Sequence, residues 1–203
     1  MSRPIAKRQH VLDAALKLFV EKGIEGTTTR EIAQLANAGE GTMFRHFESK
    51  EDMAWHLFHE NLVVFMNHLK EGLSKETTAK GRIRSMVEAG FNLYETNPTL
   101  CSFLLLTEHS AARRMTPDYE TPLDLMAQVI GQGQKSGEVR PMETHLAVAL
   151  VFGAIIRVPF LRRSGWITRD LREMVDEVTN TVWKMVENTP ALLGNPAAQP
   201  SLS

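Results

Sequence analysis

The chain has 203 residues, 43% of them hydrophobic, and 23 Lys and Arg against 24 Asp and Glu give a formal net charge of −1. That length accommodates one large helical unit, or a small domain followed by a larger one. A near-neutral balance excludes a generic polyanion binder, so any nucleic-acid affinity has to come from a local basic surface. The single cysteine, Cys101, excludes an intramolecular disulfide and any cysteine-type metal site, and it fits a reducing cytoplasm. The amino terminus lacks the apolar core of a secretion signal. No stretch nears the roughly twenty uninterrupted apolar residues of a membrane span, so a soluble protein with no membrane partner is expected.

Apolar residues recur at three- and four-residue intervals from Val11 onward, and strand-like alternation is almost absent, which predicts an all-α chain. A first helix over about 4–22 buries Val11, Ala14, Ala15, Leu18 and Phe19, and Gly23 ends it. Arg3, Lys7 and Arg8 at its start suit an arm reaching phosphates or the minor groove, against the alternative of a mobile terminus. Thr28 with Glu31 is a capping box, so a short helix starts at Thr29 with Ile32, Ala33 and Ala36 inward. The small Ala33 lets a second helix cross closely, and Asn37 tolerates the left-handed turn between them. The second helix, about 40–46, buries Ala38, Met43 and Phe47 and turns Glu40, Thr42, Arg45 and His46 outward. Gly41 is either a point of close backbone approach to DNA or a tolerated glycine. Ser49 with Asp52 starts a further helix, whose Lys50 is placed for a phosphate.

This helix-turn-helix carries Ala14-Ala15, Leu18-Phe19, Gly23, Thr27-Thr28, Ile32-Ala33, Gly41-Thr42, His46-Phe47 and Ser49-Lys50-Glu51. It resembles the TetR family of transcriptional regulators. Asn37 stands where glycine is common, Gly39 where a capping serine is common, and Phe44 where tyrosine usually offers a hydroxyl to phosphate. The resemblance implies a DNA surface made of Thr28, Thr29, Arg30, Gly39, Glu40, Gly41, Thr42, Phe44, Arg45, His46 and Lys50. Within it Thr28, Thr42, Phe44, His46 and Lys50 mainly position the backbone, while Glu40, Thr42 and Arg45 are candidates for base readout.

The helix from Lys50 carries Trp55, Phe58, Leu62, Phe65, Met66 and Leu69 to about Gly72, and bridges from a small domain into a larger one. Later helices are expected over about 80–96, 98–109, 122–135, 143–163 and 168–188, with breaks at Asn97-Pro98 and Lys135-Ser136-Gly137. The expected organisation is a DNA-binding domain over 1–49, a ligand-binding and dimerisation domain over 50–190, and a flexible Gly, Pro, Ala, Gln and Ser tail over 191–203.

Residues 146–161 are apolar around most of a helical circumference and include Ala147, Ala149, Gly153 and Ala154. The last helix presents Leu171, Met174, Val175, Val178, Val182, Met185 and Val186. Two such hairpins paired across a two-fold axis make a four-helix interface, with intramolecular packing as the alternative. In TetR-like regulators the corresponding helices form the homodimer, and two recognition helices one turn apart read a palindromic operator in double-stranded DNA.

The resemblance also implies a small-molecule effector of unknown identity. Candidates for its site are Met86, Phe91, Tyr94, Phe103, Glu108, His109, Met126, Ile130, Arg157 and Trp166, although the apolar members fill an ordinary core equally well. Arg157 interrupts an apolar run and needs a ligand carboxylate, Glu108, or exposure at a helix edge. His56 and His59 have a metal-compatible spacing but no third ligand close in sequence, so no metal or cofactor is expected. Cys101 beside Phe103 and Leu104 reads as a small buried hydrophobe rather than a redox switch. With no nucleophile elbow, phosphate-binding loop or dinucleotide fingerprint, an enzyme is not expected. The expected function is a homodimeric, sequence-specific, DNA-binding repressor released by a small-molecule ligand. The alternative is a helical protein-interaction or small-molecule-binding module without a specific operator.

Overall fold

The computed structural model describes residues 3–111 and 119–189, apart from the side chains of 3–7, 42 and 108–111. The helices are α1 Arg3–Lys22, α2 Thr29–Leu35, α3 Glu40–Met43, α4 Lys50–Ser74 and α5 Ala79–Thr96, followed by α6 Pro98–Ala111, α7 Pro122–Ser136, α8 Thr144–Arg163 and α9 Val175–Val186. A short 3-10 helix, Leu171–Met174, runs into α9. The expected tail over 191–203 lies outside the described residues.

Local chemistry sets the helix starts. Thr28, Ser49, Thr78 and Thr121 each accept the amide three residues on, and Pro122 follows the last of these caps at the first helical position. Two expected helices come out shorter. The second helix of the helix-turn-helix stops at Met43, where the carbonyl of Met43 accepts from both His46 and Phe47 in a closing turn. The last helix opens as a 3-10 turn because the Asp170 carboxylate accepts the Arg172 amide at 2.9 Å.

α1 packs on α2, α3 and α4 around Ala15, Ile32, Ala33 and Met43. α5 is the centre of the larger unit and touches α4, α6, α7, α8, α9 and the 3-10 helix. Gly133 on α7 allows a close approach, since a Cβ there would lie 2.6 Å from Val139 and 2.9 Å from Ala79. The two units meet where Phe19 of α1 stacks on Phe103 of α6, with ring centroids 6.2 Å apart.

α8 differs from the sequence expectation in one respect. By length and composition it is apolar enough to cross a membrane, yet only 28% of its most apolar window is buried against its own chain. Leu146, Leu150 and Phe160 stand 52%, 40% and 44% exposed. α9 differs in the opposite sense. Leu171 of the 3-10 helix and Val175, Val182 and Val186 of α9 turn inward and are buried, so the stripe expected to meet a partner is largely spent on the chain's own core, leaving Val178 and Met185 half-buried.

Candidate DNA interface and effector cavity

The helix-turn-helix assembles as the spacing requires. The Glu31 amide donates to the Thr28 hydroxyl at 3.2 Å and the Thr28 amide donates to Glu31 Oε2 at 2.9 Å, completing the capping box. Lys22 reaches the other carboxylate oxygen at 2.6 Å. That lysine first, then the bonds from Thr28, lower the Glu31 carboxyl to a pKa of about 2. Thr27 is fully buried, its hydroxyl donating to the Gly23 carbonyl at 2.7 Å. Asn37 takes the left-handed turn with φ of 50°, and Gly39 leaves α3 without a side-chain cap.

The turn places Arg30, Gly39, Glu40, Gly41, Phe44, Arg45 and His46 on the exposed side of this unit, and Thr28 and the half-buried Thr29 adjoin them at the start of α2. The side chain of Thr42 lies outside the described ones. Phe44 is 56% exposed, so the residue standing where a hydroxyl was expected offers an apolar face instead. A Cβ at Gly41 would meet nothing within 4 Å, which leaves room for another molecule's backbone there.

Two basic residues are engaged differently from the expectation. Arg8 is not a free arm: its guanidinium lies 5.4 Å from the Phe47 ring centroid and pairs with Glu60 at 2.9 Å. Lys50 points into its own protein, donating to the carbonyls of Thr27 at 2.8 Å and Glu25 at 3.0 Å. It therefore clamps the loop before α2 to the first turn of α4. The side chains of Arg3 and Lys7 lie outside the described ones.

α4 carries this clamp at one end and a cavity wall at the other. Phe58, Leu62, Phe65 and Leu69 form one stripe along it and line a cavity of about 90 Å³. Met86, Gly90 and Leu93 of α5, Cys101, Leu104 and Leu105 of α6, Thr121 and Pro122, and Phe152, Ile155, Ile156 and Pro159 of α8 complete the wall. No charged side chain lines it among the described residues, and its polar groups are few. Burial pushes the Cys101 thiol up to about 11, so it stays protonated and behaves as the expected hydrophobe.

Of the eight residues proposed from sequence for the effector whose side chains are described, only Met86 lines this cavity. Phe91, Phe103, Met126 and Ile130 are buried in the packed core on other faces of their helices. Phe103 instead holds α1. Tyr94 lines a smaller neighbouring pocket. Arg157 is exposed, with its guanidinium 4.2 Å from the Phe160 ring centroid, so it needs no buried partner. Trp166 is 83% exposed and closes nothing in this chain. The side chains of Glu108 and His109 lie outside the described ones. His59 bonds the Tyr119 hydroxyl at 2.9 Å and stacks on Trp55, while His56 lies 3.7 Å from Asp52 and against Phe47. Each histidine is thus held separately.

An exposed helix-turn-helix joined by one continuous helix to an apolar cavity defines a DNA-binding transcriptional regulator of the ligand-responsive kind. A sequence profile described as "Bacterial regulatory proteins, tetR family" matches residues 11–57, and one described as "Tetracyclin repressor-like, C-terminal domain" matches residues 58–188. The chain belongs to the tetR family. It is 23% identical over 191 residues to the fatty acid metabolism regulator protein of Bacillus subtilis (strain 168), covering 92% of this chain and 96% of that protein. Its fold is similar to the FadR transcriptional regulator of Bacillus subtilis in complex with stearoyl-CoA, with TM-score 0.72, 21% identity and coverage of 86% and 97% of the two chains. It is also similar to the ketosteroid transcriptional regulator KstR2 of Mycobacterium tuberculosis, with TM-score 0.72, 18% identity and coverage of 90% and 95%.

Proposed function

We propose that this regulator represses transcription as a homodimer on a palindromic operator and is released when a long-chain acyl compound enters the cavity described above. The observation that carries this reading is the cavity's lining: aliphatic and aromatic side chains from α4, α5, α6 and α8, with no charge among the described residues to hold a polar ligand. The relatives add a chemical class, since one is a fatty acid metabolism regulator and a fold neighbour holds stearoyl-CoA. KstR2, named for ketosteroids, makes a flat polycyclic ligand the competing occupant.

Coupling follows from which helices form the wall. α4 contributes four wall residues and, through Lys50, holds the loop that starts α2. α6 contributes Cys101, Leu104 and Leu105 to the wall and, through Phe103, holds α1. A ligand that spreads α4 from α6 thereby tilts the recognition helix at both attachments. A difference of about 1–3 kcal/mol in ligand affinity between the two shapes changes operator affinity from several-fold to about a hundredfold.

The dimer reading rests on α8, whose outer face presents Leu146, Ala149 and Leu150 to solvent in a single chain, with the half-buried Gly153 beside them. A Cβ at Gly153 would meet nothing within 4 Å, so the glycine has no packing reason inside the protomer and leaves room for a second helix.

The test begins with selection of genomic DNA fragments on the purified full chain at near-physiological salt, followed by titration of stearoyl-CoA and of a ketosteroid against the bound operator. Recovery of a short palindrome released by stearoyl-CoA supports the reading. Release by the steroid alone transfers the cavity to a polycyclic ligand. Fragments without a shared motif, lost at modest added salt, would refute specific operator binding.

A further inference from the structure

A long-chain acyl compound has a chain and a polar head, and the main cavity suits only the chain. A second pocket of about 30 Å³ adjoins it, with Leu105 and Pro159 as a common wall. Three polar side chains converge on that pocket: Tyr94 of α5, Ser102 of α6 and Arg163 at the end of α8.

None of the three is spent elsewhere. Ser102 is 6% exposed and Tyr94 8%, and neither hydroxyl has a hydrogen-bond partner among the described residues. Both side chains are largely buried yet neither hydroxyl oxygen is sealed from solvent, so each opens onto the pocket with its donor available to an entering acceptor in place of water. Arg163 makes no ion pair among the described residues, whereas its neighbour Arg162 is committed to Glu95 at 3.2 Å. Burial raises the Tyr94 pKa above its ordinary value of 10, so the phenol stays a donor at neutral pH.

We infer that Tyr94, Ser102 and Arg163 form the head-group subsite of the effector, binding the oxygens of an acyl head whose chain passes Leu105 and Pro159 into the cavity. The inference rests on the acyl reading above and adds the residues that read the head. The pocket has room for a carboxylate or a thioester carbonyl but not for a nucleotide. A bulkier head therefore extends outward past Phe160, where Arg157 stacked on its ring supplies a second cation.

Calorimetric titration of the full chain with stearate, stearoyl-CoA and octadecanol tests this, using Arg163→Gln, Tyr94→Phe and Ser102→Ala. Arg163 is exposed, so its replacement leaves the core intact even if either buried variant fails to fold. The expected result is that Arg163→Gln weakens stearate about tenfold, the loss of one charge-assisted hydrogen bond, and leaves octadecanol unchanged. A loss confined to stearoyl-CoA supports the same subsite with the thioester as its source. Equal losses for all three probes, or none, would overturn the subsite while leaving the acyl reading standing. If the unaltered chain binds none of the three, the acyl reading falls and the subsite falls with it.

Discussion

Gly90→Leu should yield a repressor that binds its operator and no longer responds to its effector. Gly90 lies in the interior of α5 and lines the cavity, and a Cβ built on it would meet nothing within 4 Å. A side chain there grows into empty space and not into a neighbouring helix. Replacing glycine in a helix interior by leucine gains somewhat less than the about 0.8–1 kcal/mol of helix propensity that separates glycine from alanine. For a chain of this size each kcal/mol raises the melting temperature by about 2–4 °C. The leucine also occupies space that about three or four methylenes of the ligand would fill. At about 0.8 kcal/mol per methylene the effector loses about 2.4–3.2 kcal/mol, roughly a hundredfold in affinity. Fluorescence anisotropy of labelled operator, titrated with stearoyl-CoA, reads both quantities, with Gly90→Ala as a control that gains the stability and loses little space. Release of the leucine variant at the same effector concentration as the unaltered protein would refute the cavity as the effector's seat. So would a lower melting temperature, because it would mean the space around Gly90 is already filled.

Four further outcomes are expected. Lys50→Met removes the clamp on the Glu25 and Thr27 carbonyls, and operator affinity should fall about tenfold with the salt dependence unchanged. A slope of log affinity on log salt reduced by about 0.9 would instead make Lys50 a direct phosphate contact. Gly153→Glu places a charge beside the exposed Ala149 and Leu150 of α8 without a clash in the protomer, so sedimentation should show a folded monomer with weakened operator binding; an unchanged dimer would remove α8 from the interface. The depressed Glu31 carboxyl stabilises the fold above its unfolded value of 4.5, and that contribution is lost as pH falls toward about 2. Urea midpoints of Glu31→Gln and the unaltered protein should therefore differ at neutral pH and converge in acid. Arg45→Ala should cost about 1–3 kcal/mol concentrated at particular base positions; a uniform loss across operator variants would assign Arg45 to phosphate.

The helix-turn-helix was legible in the sequence because its determinants are local. Thr28 and Glu31 are three residues apart, Asn37 needs only its own φ, and Ser49 caps a helix that begins one residue later. The clamp made by Lys50 was not legible because its partners are backbone carbonyls 23 and 25 residues away, which side-chain patterns do not encode. The cavity was harder for a related reason. Apolar periodicity shows that Phe91, Met126 and Ile130 are inside but not whether they touch neighbours or open space. Two signals were present and unused: the stripe of Phe58, Leu62, Phe65 and Leu69 on α4, and Gly90 within α5, where the missing side chain leaves the space. For Arg157 the sequence left a ligand carboxylate, Glu108 and exposure at a helix edge open, because an apolar run does not say which face of its helix is covered. The structure exposes Arg157 on the outer face of that helix, where it rests on the Phe160 ring.

The placement of Cys101 gives the chain a built-in reporter. It is the only thiol in the sequence, it forms part of the cavity wall, and burial holds it in its unreactive protonated form. An uncharged thiol reagent reaches that sulfur only by entering the space a ligand would occupy, so its labelling rate measures vacancy directly. Unknown compounds can then be ranked by the protection they confer, with neither an operator nor an introduced dye.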